Sequence, residues 1–182
     1  MDLIRSRFTV ADLVGAPDDG KRYEILEGDL AVSPSPNRQH QRIVQRLHLW
    51  FCRLEEAEQG QVYLAPFDVV LDQYNVVEPD VLFIRSERLN IITDTNVQGA
   101  PDLVVEVLSS STRARDLGIK AQVYRRFRIA EYWIVDPDMQ TLAIYGLTPD
   151  GYQVAGPFRR SEIVASTLFP GVSLAVADLF DK

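Results

Sequence analysis

The chain has 182 residues, 46% of them hydrophobic and 25% charged, which fits a single domain over 1–182 with a substantial core. No apolar run approaches the roughly 20 residues needed to cross a bilayer, and the N-terminus MDLIRSRFTV lacks a signal-peptide core, so a cytoplasmic protein with no membrane partner is expected. The net charge of −7 argues against a protein that coats nucleic acid through its overall charge, and a single Cys52 excludes an intrachain disulfide.

The charge is unevenly spread. Arg38, Arg42, Arg46 and Arg53 sit in one segment, and Arg113, Arg115, Lys120, Arg125, Arg126 and Arg128 in another, together more than half of the 19 basic residues. Local basic surface on an acidic body is therefore expected.

Thr9 caps a short helical turn over 9–13. Residues 21–29 read as a strand entering a Gly28-Asp29 turn, with 30–33 as the hairpin partner. Glu24 and Glu27 have opposite strand parity, so they point to opposite faces. The Ser33-Pro34-Ser35-Pro36-Asn37 stretch breaks the chain and caps a helix over 38–59, whose buried stripe is Ile43, Val44, Leu47, Trp50, Phe51 and Leu54. His40 lies on that stripe, as a core or capping residue or as part of a site, and the four arginines lie opposite. Two strands follow over 62–71 and 76–85, then a polar loop over 86–100. In the second strand Asp80, Leu82 and Ile84 share a face.

The run 103–108 is apolar on both faces apart from Glu106, the pattern of a central strand covered on both sides. Ser109 to Thr112 supply turn and cap chemistry for a helix over 113–128. On that helix Val123, Phe127, Tyr124, Leu117 and Ala121 span one apolar arc, and Lys120 falls inside it. An ammonium in such a place must snorkel out, pair with an acid or do chemistry. Residues 131–136 form another strand, 141–147 and 152–158 a hairpin, and the tail a short strand with a final helical turn. The fold class expected is α/β or α+β, a sheet with helices on both sides.

Asp80, Glu106 and Lys120 interrupt otherwise buried elements. Two carboxylates brought together need a cation, and oxygen ligands of this kind suit Mg²⁺ or Mn²⁺. A metal so held can activate water and polarise a phosphoryl oxygen, and a lysine can stabilise the charge that develops. The pattern therefore points to phosphodiester hydrolysis. Structural pairing of the two acids, and an ordinary surface salt bridge from Asp116 to Lys120, are the competing readings. A paired-carboxylate glycosidase is a further alternative, but it gives Lys120 no task.

Several stretches carry a resemblance: Tyr23 to Leu30, Ser33-Pro34 with His40, Pro79-Asp80, Pro101 to Ser109, the Asp116, Lys120 and Tyr124 series, Glu131 to Pro137, and Leu168 to Val172. Together they resemble the Uma-two family of restriction endonucleases, within the PD-(D/E)XK nuclease superfamily. The resemblance implies a restriction-endonuclease-like core with a mixed central sheet flanked by helices. It implies Asp80 and Glu106 as metal ligands, with the Val107 carbonyl as a third, and Lys120 as the catalytic lysine. The superfamily motif places that lysine two residues after the acid, where this chain has Leu108, so Lys120 must reach back from the next helix. Glu24 is the expected additional carboxylate, in preference to Glu27, and Tyr124 and Asp116 are supporting residues. Arg38, Arg42, His40 and Arg113 are the expected contacts to DNA, the implied substrate, and cutting two strands suggests a homodimer. The alternative is an inactive nuclease fold that binds nucleic acid or protein.

Overall fold

The computed structural model describes residues 7–17 and 19–180. Helix α1 (Val10–Leu13) is one turn, closed by Asp12 Oδ2, which accepts from Thr9 N–H and Oγ–H at 2.7 and 2.9 Å. Strands β1 (Arg22–Leu26) and β2 (Asp29–Ser33) form a hairpin through Glu27 and Gly28, both at positive φ, 56° and 84°. That two-residue turn, one position earlier than expected, has the twist that paired strands favour. Helix α2 (Arg38–Glu56) opens on Asn37, whose Oδ1 accepts from His40 N–H at 2.9 Å.

The two strands expected over 62–71 and 76–85 are each divided. The first becomes β3 (Gly60–Leu64) and β4 (Asp68–Asp72), and the second β5 (Asn75–Val77) and β6 (Val81–Arg85). Pro66 and Pro79 stand at the breaks, where proline has no N–H to give to a ladder. The chain uses each break to pass from one sheet to another. The expected loop over 86–100 is also more ordered: it holds a 3₁₀ helix, Ser86–Ile91, and a short strand β7 (Asn96–Gln98) parallel to β4.

Strand β8 (Leu103–Val107) is followed by α3 (Arg113–Arg115), a π-helical turn (Asp116–Lys120) and α4 (Ala121–Arg126). The uninterrupted helix expected over 113–128 is thus corrected by one wide turn. The extra residue shifts the phase of everything before it, so Leu117 is 42% exposed and Asp116 takes the inward place at 1%. Strand β9 (Glu131–Asp136) leads to the hairpin of β10 (Thr141–Thr148) and β11 (Gly151–Arg159). The tail adds β12 (Ile163–Ala165), β13 (Ser173–Ala175) and a 3₁₀ turn, Val176–Leu179.

Among the described residues the main sheet has the order β11-β10-β9-β8-β6-β3, mixed because β8 and β9 run parallel and the other pairs antiparallel. A second sheet has the order β2-β1-β5-β4-β7. Odd positions of the central strands, such as Val81, Phe83, Val105, Val107 and Trp133, pack on the α2 stripe and the tail. Even positions, such as Leu82, Ile84, Val104 and Tyr132, pack on α4 and on the second sheet. This two-sided cover explains why β8 reads as apolar on both faces. Glu106 belongs to the even set, on the side that α4 and the second sheet share.

Candidate active site

The functional side chains converge where the two sheets meet. Alternation along β1 sends Arg22 and Glu24 to one side. The Glu78-Pro79-Asp80 crossover delivers two more acids to the seam, β8 contributes Glu106 and Val107, and the π turn contributes Asp116 and Lys120. His40 enters from the first turn of α2, and Arg115 from α3. All of these except Glu78 line one cavity of about 190 Å³, rimmed by Ser33, Ser35, Asn37 and the Ser109 to Thr112 turn.

Lys120 does not snorkel. It is 2% exposed, and its Nζ lies 2.7 Å from Glu24 Oε1, 2.8 Å from Glu106 Oε1 and 3.7 Å from Asp116 Oδ1. Tyr124 Oη–H donates to the same Glu106 Oε1 at 2.8 Å. Asp80 is held separately. Its Oδ1 faces Arg22 Nη1 at 2.5 Å, and its Oδ2 lies 3.0 Å from His40 Nε2 and accepts from Val107 N–H at 2.8 Å. Arg22 Nε also lies 3.2 Å from Glu78 Oε1, and Glu24 Oε1 accepts from Glu78 N–H at 3.0 Å.

Burial sets the protonation of this cluster. It lifts the Glu106 carboxyl to about 8, helped by the nearby acids Asp116, Asp80 and Glu24 and opposed by Lys120. Burial likewise raises Glu78 to about 7, and Asp116 rises for the same reason. For Asp80 the burial penalty is outweighed by the contacts with His40, Arg22 and the Val107 N–H, so its pKa falls. Burial works against the Lys120 charge, yet the attraction of Glu106, Glu24 and Asp116 prevails and holds it protonated. Tyr124, pushed well up by burial and by Glu106, remains a donor.

The donor chemistry suits a hard divalent cation. Carboxylate oxygens from Asp80 and Glu106 lie beside Val107, and no cysteine lines the cavity. Five acids (Glu24, Glu78, Asp80, Glu106, Asp116) face three permanent cations (Arg22, Arg115, Lys120), so full ionisation would leave two negative charges uncompensated. Among the described residues the buried side-chain atoms with no hydrogen bond are His40 Nδ1, Glu78 Oε1, Arg115 Nε and Asp116 Oδ1, all at this one seam. Such groups are the ones a bound ion or ligand satisfies. The acids are not gathered as a ready-made cage, however: no three His, Cys, Asp or Glu side chains are arranged to hold a metal among the described residues.

The other expected contacts lie elsewhere. Arg38 and Arg42 line a separate, open groove of about 500 Å³ with Arg46, Gln140 and Phe180, on the flank of α2. Arg113 is exposed and pairs with Asp136 at 2.8 Å. Glu27 turns away to Arg126, at 2.5 Å. The structure also adds Arg22, Glu78 and Arg115 to the site. The signal for Arg22 is its shared parity with Glu24; Glu78 and Arg115 lack any local signal.

The Uma2 family profile, described as "Putative restriction endonuclease", matches residues 10–177. The chain belongs to the Uma2 family. The crystal structure of a putative nuclease belonging to DUF820 from Anabaena variabilis superposes with a TM-score of 0.78 at 18% identity, over 95% of this chain and 97% of that one. At that identity the likeness establishes that the two chains share a fold. A search of curated proteins returns no match.

Proposed function

We propose that this Uma2 protein is a metal-dependent endonuclease that hydrolyses DNA phosphodiester bonds in the cytoplasm. The observation that carries the reading is the buried Lys120 ammonium shared by Glu24, Glu106 and Asp116 beside Asp80, in a cavity open to ligand. A buried cluster of this kind is often no more stable than well-packed apolar residues of the same volume, so its presence in a ligand-accessible cavity supports a functional role.

Asp80, Glu106 and the Val107 carbonyl are the residues that would hold Mg²⁺ or Mn²⁺. When bound, the ion supplies Lewis-acid polarisation of a phosphoryl oxygen and lowers the pKa of water. The remaining work falls to the chain. His40 and the Val107 N–H fix the Asp80 carboxylate, and Tyr124 and Lys120 fix Glu106. Lys120 keeps its proton, so it contributes positive charge near the attacked phosphate and is no base. Arg38, Arg42 and Arg113 lie outside the cavity, where they would contact flanking phosphates.

Purified protein with Mg²⁺ or Mn²⁺ is expected to cut plasmid, single-stranded or branched DNA, and Glu106→Ala is expected to remove that activity. Cleavage that survives Glu106→Ala rules out the assigned site. A second reading, an inactive fold used for binding, is favoured by the hold that Arg22 and Lys120 have on Asp80 and Glu106. An unfolding temperature that does not respond to millimolar Mn²⁺ decides for it. A homodimer, which would bring two cavities to the two strands, is read by light scattering.

A further inference from the structure

We infer that Arg115 is the phosphate-binding side chain of the cavity, and that Lys120 is not. The inference rests on the phosphodiester reading above and adds the residue that grips the substrate oxygen.

The three permanent cations of the seam differ in what they have left to give. Lys120 is enclosed, with two carboxylates within 2.8 Å and a third at 3.7 Å. To reach a ligand it would have to give up its two short contacts with the buried Glu24 and Glu106. Arg22 has its Nη1 on Asp80 at 2.5 Å and its Nε 3.2 Å from Glu78. Arg115 is less committed. Its Nη2 donates to the neutral Ser33 hydroxyl, and its nearest carboxylate oxygen, on Glu24, is 3.7 Å away, beyond hydrogen-bond reach. Its Nε is buried without any acceptor, although the side chain lines the cavity.

A guanidinium is a planar array of five donors that cannot lose its proton. A buried N–H with no partner is costly, so a site that keeps one is completed by an external oxygen. An oxyanion with two adjacent oxygens suits the Nε and Nη edge. Acetate and phosphate both offer that pair, but phosphate adds charge and further oxygens for the neighbouring hydroxyls and the metal, which sets it apart from acetate. The cavity lining also supplies the neutral hydroxyls of Ser109, Ser110, Ser111 and Thr112 as donors. Its carboxylates, Glu24, Asp80, Glu106 and Asp116, are why phosphate is tested together with a divalent cation. Arg115 immediately precedes the π turn, so its direction relative to Lys120 depends on that extra residue.

The test is the thermal shift produced by inorganic phosphate in millimolar Mg²⁺, with acetate as the control oxyanion, on wild type, Arg115→Ala and Arg115→Lys. Phosphate is expected to raise the unfolding temperature of wild type and acetate to do so far less. Arg115→Ala should weaken the apparent phosphate affinity roughly tenfold or more, and Arg115→Lys, which keeps charge but loses the two-point grip, should fall between. If Arg115→Ala does not fold by circular dichroism, the lysine variant carries the comparison. Wild type that ignores phosphate, equal protection by acetate, or variants that match wild type would each overturn the assignment. DNA cleavage measured alongside separates the two ideas. Cleavage with phosphate binding indifferent to Arg115 sinks this inference alone. Arg115-dependent phosphate binding without cleavage keeps it and sinks the nuclease.

Discussion

Lys120 and its three acids form a balance in which no member can be removed alone. With the ammonium deleted, Glu24, Glu106 and Asp116 are left buried and facing one another without the cation they share. Breaking a buried pair by taking one partner costs about 3–5 kcal/mol. Lys120→Met is therefore expected to lower stability by that order at pH 8 and by less at pH 5.5, where Glu106, lifted to about 8, is protonated and no longer needs the cation. Denaturant titrations at the two pH values measure the difference. Equal losses would mean that Lys120 acts through packing and not through charge.

The π turn is the element that makes the site. In an unbroken α-helix, Leu117 would occupy the inward position that Asp116 holds, and Arg115 would turn with it. Deleting Gly118 removes the extra residue, so the turn can close as a regular α-helix with Arg115 and Asp116 still in phase with Tyr124. A Cβ added at Gly118 would meet nothing within 4 Å beyond its own helix, so no neighbouring element packs on this position. The expected outcome is a protein as stable as wild type or more so, since Asp116 keeps its inward place in a regular helix, with the metal-dependent thermal shift and cleavage retained. A folded deletion variant that loses the metal response would show that the wide turn does more than set the phase of Asp116 and Arg115. The proline breaks act in a similar way at Pro66 and Pro79, where the chain leaves one sheet for the other and so deposits Glu78 and Asp80 at the seam.

For the whole molecule, the raised acids give stability an unusual dependence on pH. The folded chain keeps protons on Glu106 and Glu78, at about 8 and about 7, that the unfolded chain has already released near pH 4.3. The folded state thus binds more protons between those limits, and stability falls as pH rises through them. Asp80, whose pKa is lowered, acts in the opposite sense, but only in acid below its ordinary range. In chelator the unfolding temperature should drop between pH 5 and pH 8.5, and Mg²⁺ or Mn²⁺ should flatten the decline by replacing protons as the compensating charge. A temperature that rises over that interval in chelator would refute the protonation pattern assigned to the seam.

Much of this protein is legible in its residue order, because periodicity of 3.6 or 2 reports what each element buries. The α2 stripe, the β8 run and the hairpins follow from that, as does the inward course of Lys120 and Glu106. Expecting Glu24 and not Glu27 near the seam needed only strand parity together with the family resemblance. Local pattern could not reveal the second sheet, since a strand broken by proline looks the same whether its halves stay together or part. Nor could it reveal the π turn, because one extra residue leaves the composition of the arc unchanged while exposing Leu117 and burying Asp116. Arg22, Glu78 and Arg115 join the site through partners 58, 54 and 82 residues away, contacts that exist only once the sheets have met. Chain order can say that a charge must be buried; where each charge finds its counterion depends on packing between distant segments.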